Sequence, residues 1–266
     1  MTTVLAAIGL AVAGLAVGSF LNVCIDRLPA GKSVIRLRSH CDSCAQPLQG
    51  KDLIPVFSYL RLRGRCRHCG ARIPRRILLV ELGTALMFGL LAWHFGPGLQ
   101  LAIVLIYGCI FLLIFVIDLE RQLVLDAVLY PALALAFIFS FFWFGAGDYP
   151  HWPAAGVLSA LLGGAAGLVF MIIPYVIARM FYGREGMGEG DIYLGALIGL
   201  VTGFPLVLVA LIIGVLGGGL AAVCLMALRV KGRRDPIPFG PFLAAAAMVT
   251  LIWGLPILDW YTGLMA

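Results

Sequence analysis

The chain has 266 residues, 62% of them hydrophobic and 12% charged, with a formal net charge of +6 and a mean hydropathy of +1.04. A soluble domain is usually about 45–50% apolar and about 25% charged, so this composition excludes a soluble enzyme, a disordered chain and a secreted disulfide scaffold. A polytopic membrane protein remains, and 33 glycines and 14 prolines fit one, since membrane helices tolerate both residues.

A helix needs about 20 apolar residues to cross a bilayer. The first such run is 4–24. It is too long and too weakly charged at its start for a cleaved signal peptide. Asp26-Arg27-Leu28-Pro29 follows it, where a small-residue cleavage site would stand. It reads as a retained helix. The loop that follows, 27–76, carries 12 of the 19 Lys and Arg with only Asp42 and Asp52 as acids, a net charge of +10. A basic tract can bind nucleic acid. Between two membrane helices it reads instead as a topology signal, and no nucleic-acid partner is expected. The excess also suits an anionic lipid surface.

That loop contains Cys41-x-x-Cys44 and Cys66-x-x-Cys69, with 21 residues between the pairs. Two such knuckles can surround one tetrahedral Zn²⁺, each converging its thiolates from a tight turn. Disulfides are the rival reading, disfavoured in a reducing cytoplasmic loop. Four thiolates close the site, so the metal is expected to be structural. It would supply folding energy that a loop of this size lacks. Cys24, Cys109 and Cys224 fall at unrelated positions in apolar runs and read as small core fillers.

Further apolar runs cover 78–93, 99–117, 127–144 and 154–177. The run 192–228 is too long for one span, and Gly203-Phe204-Pro205 breaks it into a short helix and a longer one. The last run is 242–258. This predicts an all-α polytopic membrane protein of about eight transmembrane helices, with a small zinc-knuckle domain between the first two. With 27–76 in the cytoplasm and sides alternating, the inner segments are 118–126, 179–191 and 229–238. Arg121, Arg179, Arg184, Arg229, Lys231, Arg233 and Arg234 then all lie inside, and both termini lie outside.

Acids beside a membrane span are expensive without a use. Asp118 directly follows the apolar run 111–117, and Asp191 directly precedes Ile192. Both lie at one depth on the inner side. Asp191 closes Gly186-Met187-Gly188-Glu189-Gly190-Asp191, where Gly188 and Gly190 would let backbone approach an extended substrate. Two carboxylates brought together tend to share one proton. Such a pair can activate water while its protonated member polarises a peptide carbonyl. The alternatives are solvation of a loop or pairing with Arg121 and Arg184. Glu120, Glu185 and Glu189 read as solvated acids.

Here the chain resembles the type IV prepilin peptidases, bifunctional membrane aspartic proteases of the GxGD type. The resemblance rests on Gly18-Ser19-Phe20-Leu21-Asn22-Val23 with Arg27-Leu28-Pro29, and on both cysteine pairs. It continues through Asp52-Leu53-Ile54-Pro55-Val56-Phe57-Ser58-Tyr59-Leu60, Arg63-Gly64-Arg65-Cys66 and Val80-Glu81-Leu82. It ends with Ile117-Asp118-Leu119-Glu120, Gly188-Glu189-Gly190-Asp191 and Pro238-Phe239-Gly240-Pro241-Phe242.

The resemblance implies a bacterial inner-membrane enzyme that cuts the basic leader from prepilins or pseudopilins on the cytoplasmic side. It would then N-methylate the new terminus from S-adenosylmethionine. The family's catalytic aspartates carry over onto Asp118 and Asp191. Asp126 stays the alternative for the first, because its separation from Asp191 is nearer the family's, while Asp118 has the family's Ile-Asp-Leu-Glu context. Tyr193 stands where the family commonly has lysine. The implied division is a first helix (1–26), a zinc-binding four-cysteine domain associated with methylation (27–77) and a seven-helix peptidase core (78–266). Asn22 and Glu81 are polar residues in apolar runs, for which helix packing is the plain reading. A peptidase without methylation, and a transporter with Asp118 and Asp191 as ion carriers, are the rival functions. The S-adenosylmethionine site and the oligomeric state are left open.

Overall fold

The computed structural model describes residues 2–35, 39–142, 156–182, 188–232, 235 and 237–264. Among them are nine α-helices. These are α1 (Thr2–Arg27), α2 (Phe57–Arg61), α3 (Arg75–Phe95), α4 (Leu99–Arg121), α5 (Asp126–Ser140), α6 (Val157–Tyr182), α7 (Glu189–Thr202), α8 (Leu206–Ala227) and α9 (Gly240–Gly263). No strand forms among the described residues; two isolated antiparallel bridges, His40 with Pro47 and Arg65 with Arg72, lie in the loop between α1 and α3.

The sequence expects about eight crossing helices, and eight helices of 14 residues or more are present among the described residues. Six of them, α1, α3, α4, α6, α8 and α9, are long and apolar enough to cross a membrane. The other two are shorter, α5 with 15 residues and α7 with 14. At 1.5 Å per residue, α7 spans about 21 Å against a hydrocarbon core of about 30 Å. The proposed break at 203–205 is where α7 stops. Gly203 takes φ 73° and caps it, its N–H donating to the Gly199 carbonyl at 2.8 Å. Arg184, Glu185, Arg233, Arg234 and residues 145–153 lie outside the described residues.

The chain forms two compact units, Met1–Leu105 and Ile106–Ala266. In the first, α1 packs along α3. Gly14 and Gly18 make this possible. A methyl on Gly14 would lie 2.9 Å from the Ala85 Cα, and one on Gly18 would lie 2.8 Å from the Glu81 Cα. Small residues at a membrane helix interface let backbones approach.

In the second unit α7 is the centre. Leu194, Leu197 and Ile198 are fully buried, and α5, α6, α8 and α9 all pack on this helix. A helix apolar all round needs cover on every side, and here protein supplies much of that cover. Gly163 and Gly167 on α6 face Gly195 and Gly199 on α7, and a methyl on any of the four would overlap the partner helix. The remaining helices turn apolar faces outward: Leu161, Leu208 and Leu216 are exposed, as a lipid-facing surface requires.

Candidate active site and metal centre

Asp118 lies in the last turn of α4 and is only 5% exposed. Its Oδ2 is buried with no hydrogen-bond partner. The first residue of α9, Gly240, sits against it. A Cβ there would be 2.7 Å from Asp118 Oδ2 and 3.1 Å from its Cγ. Glycine is therefore the residue that leaves the carboxylate its room.

Asp191 lies in the first turn of α7, ahead of the apolar run. Its N–H donates to the Gly188 carbonyl at 3.2 Å. Burial first, and then the Asp118 carboxylate, push the Asp191 carboxyl up to about 7. Two acids separated by 72 intervening residues thus act on each other electrostatically. One proton between them relieves the repulsion and the desolvation together.

The other acids stand differently. Asp126 opens α5 and is exposed. Glu120 is exposed at the end of α4. Glu189 is exposed, and its Oε1 accepts from the Tyr175 hydroxyl at 3.0 Å, which in turn accepts from Arg179 Nη1 at 2.9 Å. Tyr193 meets Tyr130 edge to face, with ring centroids 6.1 Å apart.

The two motif glycines do different things. Gly188 has φ −72° and is exposed, and a Cβ on it would come no closer than 3.8 Å to Asp191 Oδ2. Gly190 is packed: a Cβ there would lie 2.7 Å from the Cβ of Val124. Its missing side chain lets the first turn of α7 rest on the α4–α5 connection. Gly186 and Met187 lie outside the described residues.

In the first unit the four cysteines converge. The sulfur atoms of Cys41, Cys44, Cys66 and Cys69 all lie within 4.8 Å of one another, and Cys41 and Cys69 are 3.8 Å apart. A tetrahedral Zn–S bond of about 2.3 Å implies S···S separations of about 3.8 Å, so the cage fits a metal. Both knuckles are built alike. Cys41 N–H donates to Gln46 O and Ala45 N–H to Cys41 O; Cys66 N–H donates to Ala71 O and Gly70 N–H to Cys66 O. The fourth residue after each leading cysteine has positive φ, 55° at Ala45 and 71° at Gly70. Amide N–H groups of Cys69 and His68 hold the Cys66 thiol well below its usual range, favouring the thiolate that a metal needs. Asp52 ties the loop together by accepting from Arg67, Nε at 2.9 Å, and from Gln49 N–H at 3.3 Å.

Asn22 and Glu81, for which helix packing is the plain sequence reading, form a buried polar cluster in the first unit. Glu81 is 4% exposed and its Oε2 accepts the Val56 N–H at 2.7 Å. Asn22 is 5% exposed; its Nδ2 donates to Gly18 O at 3.2 Å and Ile77 O at 3.0 Å, while its Oδ1 is buried without a partner. Nothing in the periodicity could place Val56 on Glu81, because 24 residues of loop and helix separate them.

Comparison with known proteins is consistent across the chain. Residues 12–95 match the bacterial peptidase A24 N-terminal domain, and residues 103–225 match the type IV leader peptidase family. A prepilin leader peptidase/N-methyltransferase of Pseudomonas aeruginosa is 33% identical over 264 residues, covering 91% of this chain and 88% of that protein. Proteins of the same name from Bacillus subtilis and Xanthomonas campestris are 32% and 33% identical, covering 93% of this chain and 94% and 91% of theirs. No solved structure matches the chain significantly.

Proposed function

The chain belongs to the type IV leader peptidase family, and on that premise we propose that it is a multi-pass inner-membrane aspartic endopeptidase acting on prepilins. It removes the basic leader on the cytoplasmic side and then N-methylates the new terminus from S-adenosylmethionine. The observation that carries the peptidase reading is the pair itself: a buried Asp118 with an unpartnered oxygen, and an Asp191 whose proton is held by burial and by Asp118. In the singly protonated pair, the ionised carboxylate takes a proton from water as it attacks the scissile carbonyl. The protonated partner hydrogen-bonds to the carbonyl oxygen as charge develops there. Both groups act where little water competes, so their electrostatic effect is large.

The first acid is assigned to Asp118 and not Asp126, since Asp118 is the buried one and the one that acts on Asp191. The exposed Gly188 turn is assigned to substrate backbone, and Gly190 keeps α7 seated on Val124. Zinc is assigned to the cysteine cage, which holds the loop between α1 and α3 in shape. The excess of Lys and Arg in that loop supports a cytoplasmic placement, and with eight helices both termini would face away from it.

Co-expression of a prepilin with single variants tests this reading. Asp118→Asn and Asp191→Asn are expected to abolish leader removal, and Asp126→Asn to retain it. Full processing by Asp191→Asn would refute the peptidase assignment. Metal analysis of the purified chain is expected to give one zinc per chain, lost on Cys41→Ser.

A further inference from the structure

The peptidase reading uses acids of the second unit and leaves a buried polar cluster of the first unit without a task. Resting on the methyl-transfer half of the proposed function, we propose that Glu81 and Asn22 receive the new α-amine of the cleaved pilin, with Glu81 taking its proton for methyl transfer.

Amine methylation needs a free lone pair on nitrogen, and an α-amine is largely protonated near pH 7. The site must therefore hold an ammonium among acceptors and then remove a proton. The first unit offers four acids. Asp26 is ion-paired to Arg76 at 2.7 Å, and Asp52 to Arg67. Asp42 is exposed. Glu81 is buried, and its bonds are to the Val56 N–H and the Ser19 side chain, neither of them a cation. A buried carboxylate without a cation is expensive, and an ammonium ligand would neutralise it.

Asn22 supplies the second acceptor. Its amide nitrogen is committed to Gly18 O and Ile77 O. That fixes the side chain with Oδ1 pointing into the interior, where it has no partner. Ile77 and Glu81 are one turn apart on α3, so the orphan oxygen and the carboxylate share one stretch of the α1–α3 seam. The depth is suitable. Asn22 lies five residues from the end of α1 and Glu81 six from the start of α3, about 8–9 Å inside the helix ends at 1.5 Å per residue. A pilin with a hydrophobic N-terminal helix would bring its amine to such a level.

The loop residue that bonds Glu81 is held in an uncommon conformation. Val56, a β-branched residue, has φ 60° and gives its N–H to Glu81. Such outliers persist where surroundings over-determine them. The step balances simply. Glu81 accepts a proton from R–NH₃⁺, the nitrogen lone pair forms a bond to the sulfonium methyl, and the C–S electron pair goes to sulfur. The resulting secondary ammonium keeps its remaining protons.

Binding of a mature-pilin N-terminal peptide to the purified full-length chain tests the proposal, with the N-acetylated peptide as comparison. The wild-type chain is expected to prefer the free amine at least tenfold. Glu81→Gln keeps an acceptor for the Val56 N–H but loses the charge. It is expected to bring the two peptides within threefold, with zinc content unchanged, and to lower transfer of labelled methyl at least 100-fold while leader cleavage continues. A residue that only caps the loop would leave the amine preference intact in Glu81→Gln, and that result overturns the proposal. So does a wild-type chain with no amine preference. Should Glu81→Gln misfold, Asn22→Ala is read in the same binding assay, with loss of preference expected and retention overturning. A chain that shows the preference yet transfers no methyl refutes the methyltransferase reading and leaves the amine site standing.

Discussion

Gly240→Ala is the sharpest test of how the second unit holds its acid pair. The added methyl would lie 2.7 Å from Asp118 Oδ2, 3.1 Å from Cγ and 3.4 Å from Cβ. An ordinary carbon–oxygen contact is about 3.4 Å, so the overlap is about 0.7 Å. Pro241 follows directly and restricts the backbone there, so the carboxylate is the part that moves. A displacement approaching 1 Å at a reacting group costs on the order of 100-fold in rate. Leader cleavage by Gly240→Ala is therefore expected to fall about 10- to 100-fold by that rule, against an overpacking cost of about 1–3 kcal/mol in stability. Gly217→Ala on α8 is the control: its methyl would meet only Phe242 Cδ1 at 3.7 Å, and cleavage should stay near wild type. The assay is leader removal from a purified prepilin in detergent at saturating substrate, with thermal melting of both variants alongside. Cleavage by Gly240→Ala within twofold of wild type would show that Asp118 does not need its observed position, and the dyad assignment would fall.

Three further outcomes follow from the same geometry. Gly190→Ala should destabilise the chain by about 1–3 kcal/mol through its clash with Val124, and Val124→Gly should recover part of the loss in a double-mutant cycle read by melting. Ala45→Gly should stabilise the first knuckle by about 1 kcal/mol, because Ala45 already sits at φ 55° where glycine carries no penalty; slower metal release to a chelator is the readout, and Gly70→Ala should do the reverse. Cleavage should decline above about pH 7, where Asp191 loses its proton. The stability effect has the same sign: an acid raised in the fold costs nothing while protonated. That cost grows as pH rises from the ordinary carboxyl value through about 7, so Asp191→Asn should flatten the melting profile over that window.

How far sequence reaches into this molecule depends on the range of the interaction. Apolar runs found the long helices, since lipid imposes length and composition locally, and Gly203-Phe204-Pro205 marked the break before α8. The paired knuckles were legible because each is built within six residues. Asp118 and Asp191 stood out from their position beside apolar runs, and burial together with mutual coupling now separates them from the exposed Asp126. The break at Gly203-Phe204-Pro205 also made α7 legible as short, whereas α5 was not, because a helix buried in protein and one buried in lipid carry the same apolar residues. Nor was Gly240, whose role depends on α9 meeting the end of α4, a contact with no periodic signature. Glu81 with Val56 is the same case in the first unit.

These long-range contacts share one physical device. A carboxylate in an apolar bundle is tolerated when it is protonated, paired or hydrogen-bonded, and its use as a catalyst also requires that it be fixed in place. At Asp118 the fixing is steric, by a glycine at the start of α9. Asp191 rides on α7, whose seat depends on Gly190 against Val124 and on Gly195 and Gly199 against α6. The Gly240 backbone also hydrogen-bonds the Asp118 carboxyl, so close packing and a hydrogen bond together hold this acid. Close backbone packing positions both acids, and burial together with the Asp118 charge holds the Asp191 carboxyl up to about 7. Gly190, Gly195, Gly199 and Gly240 are therefore part of how the second unit sets its acid pair, and a methyl added at any of these four should disturb the pair and the stability together.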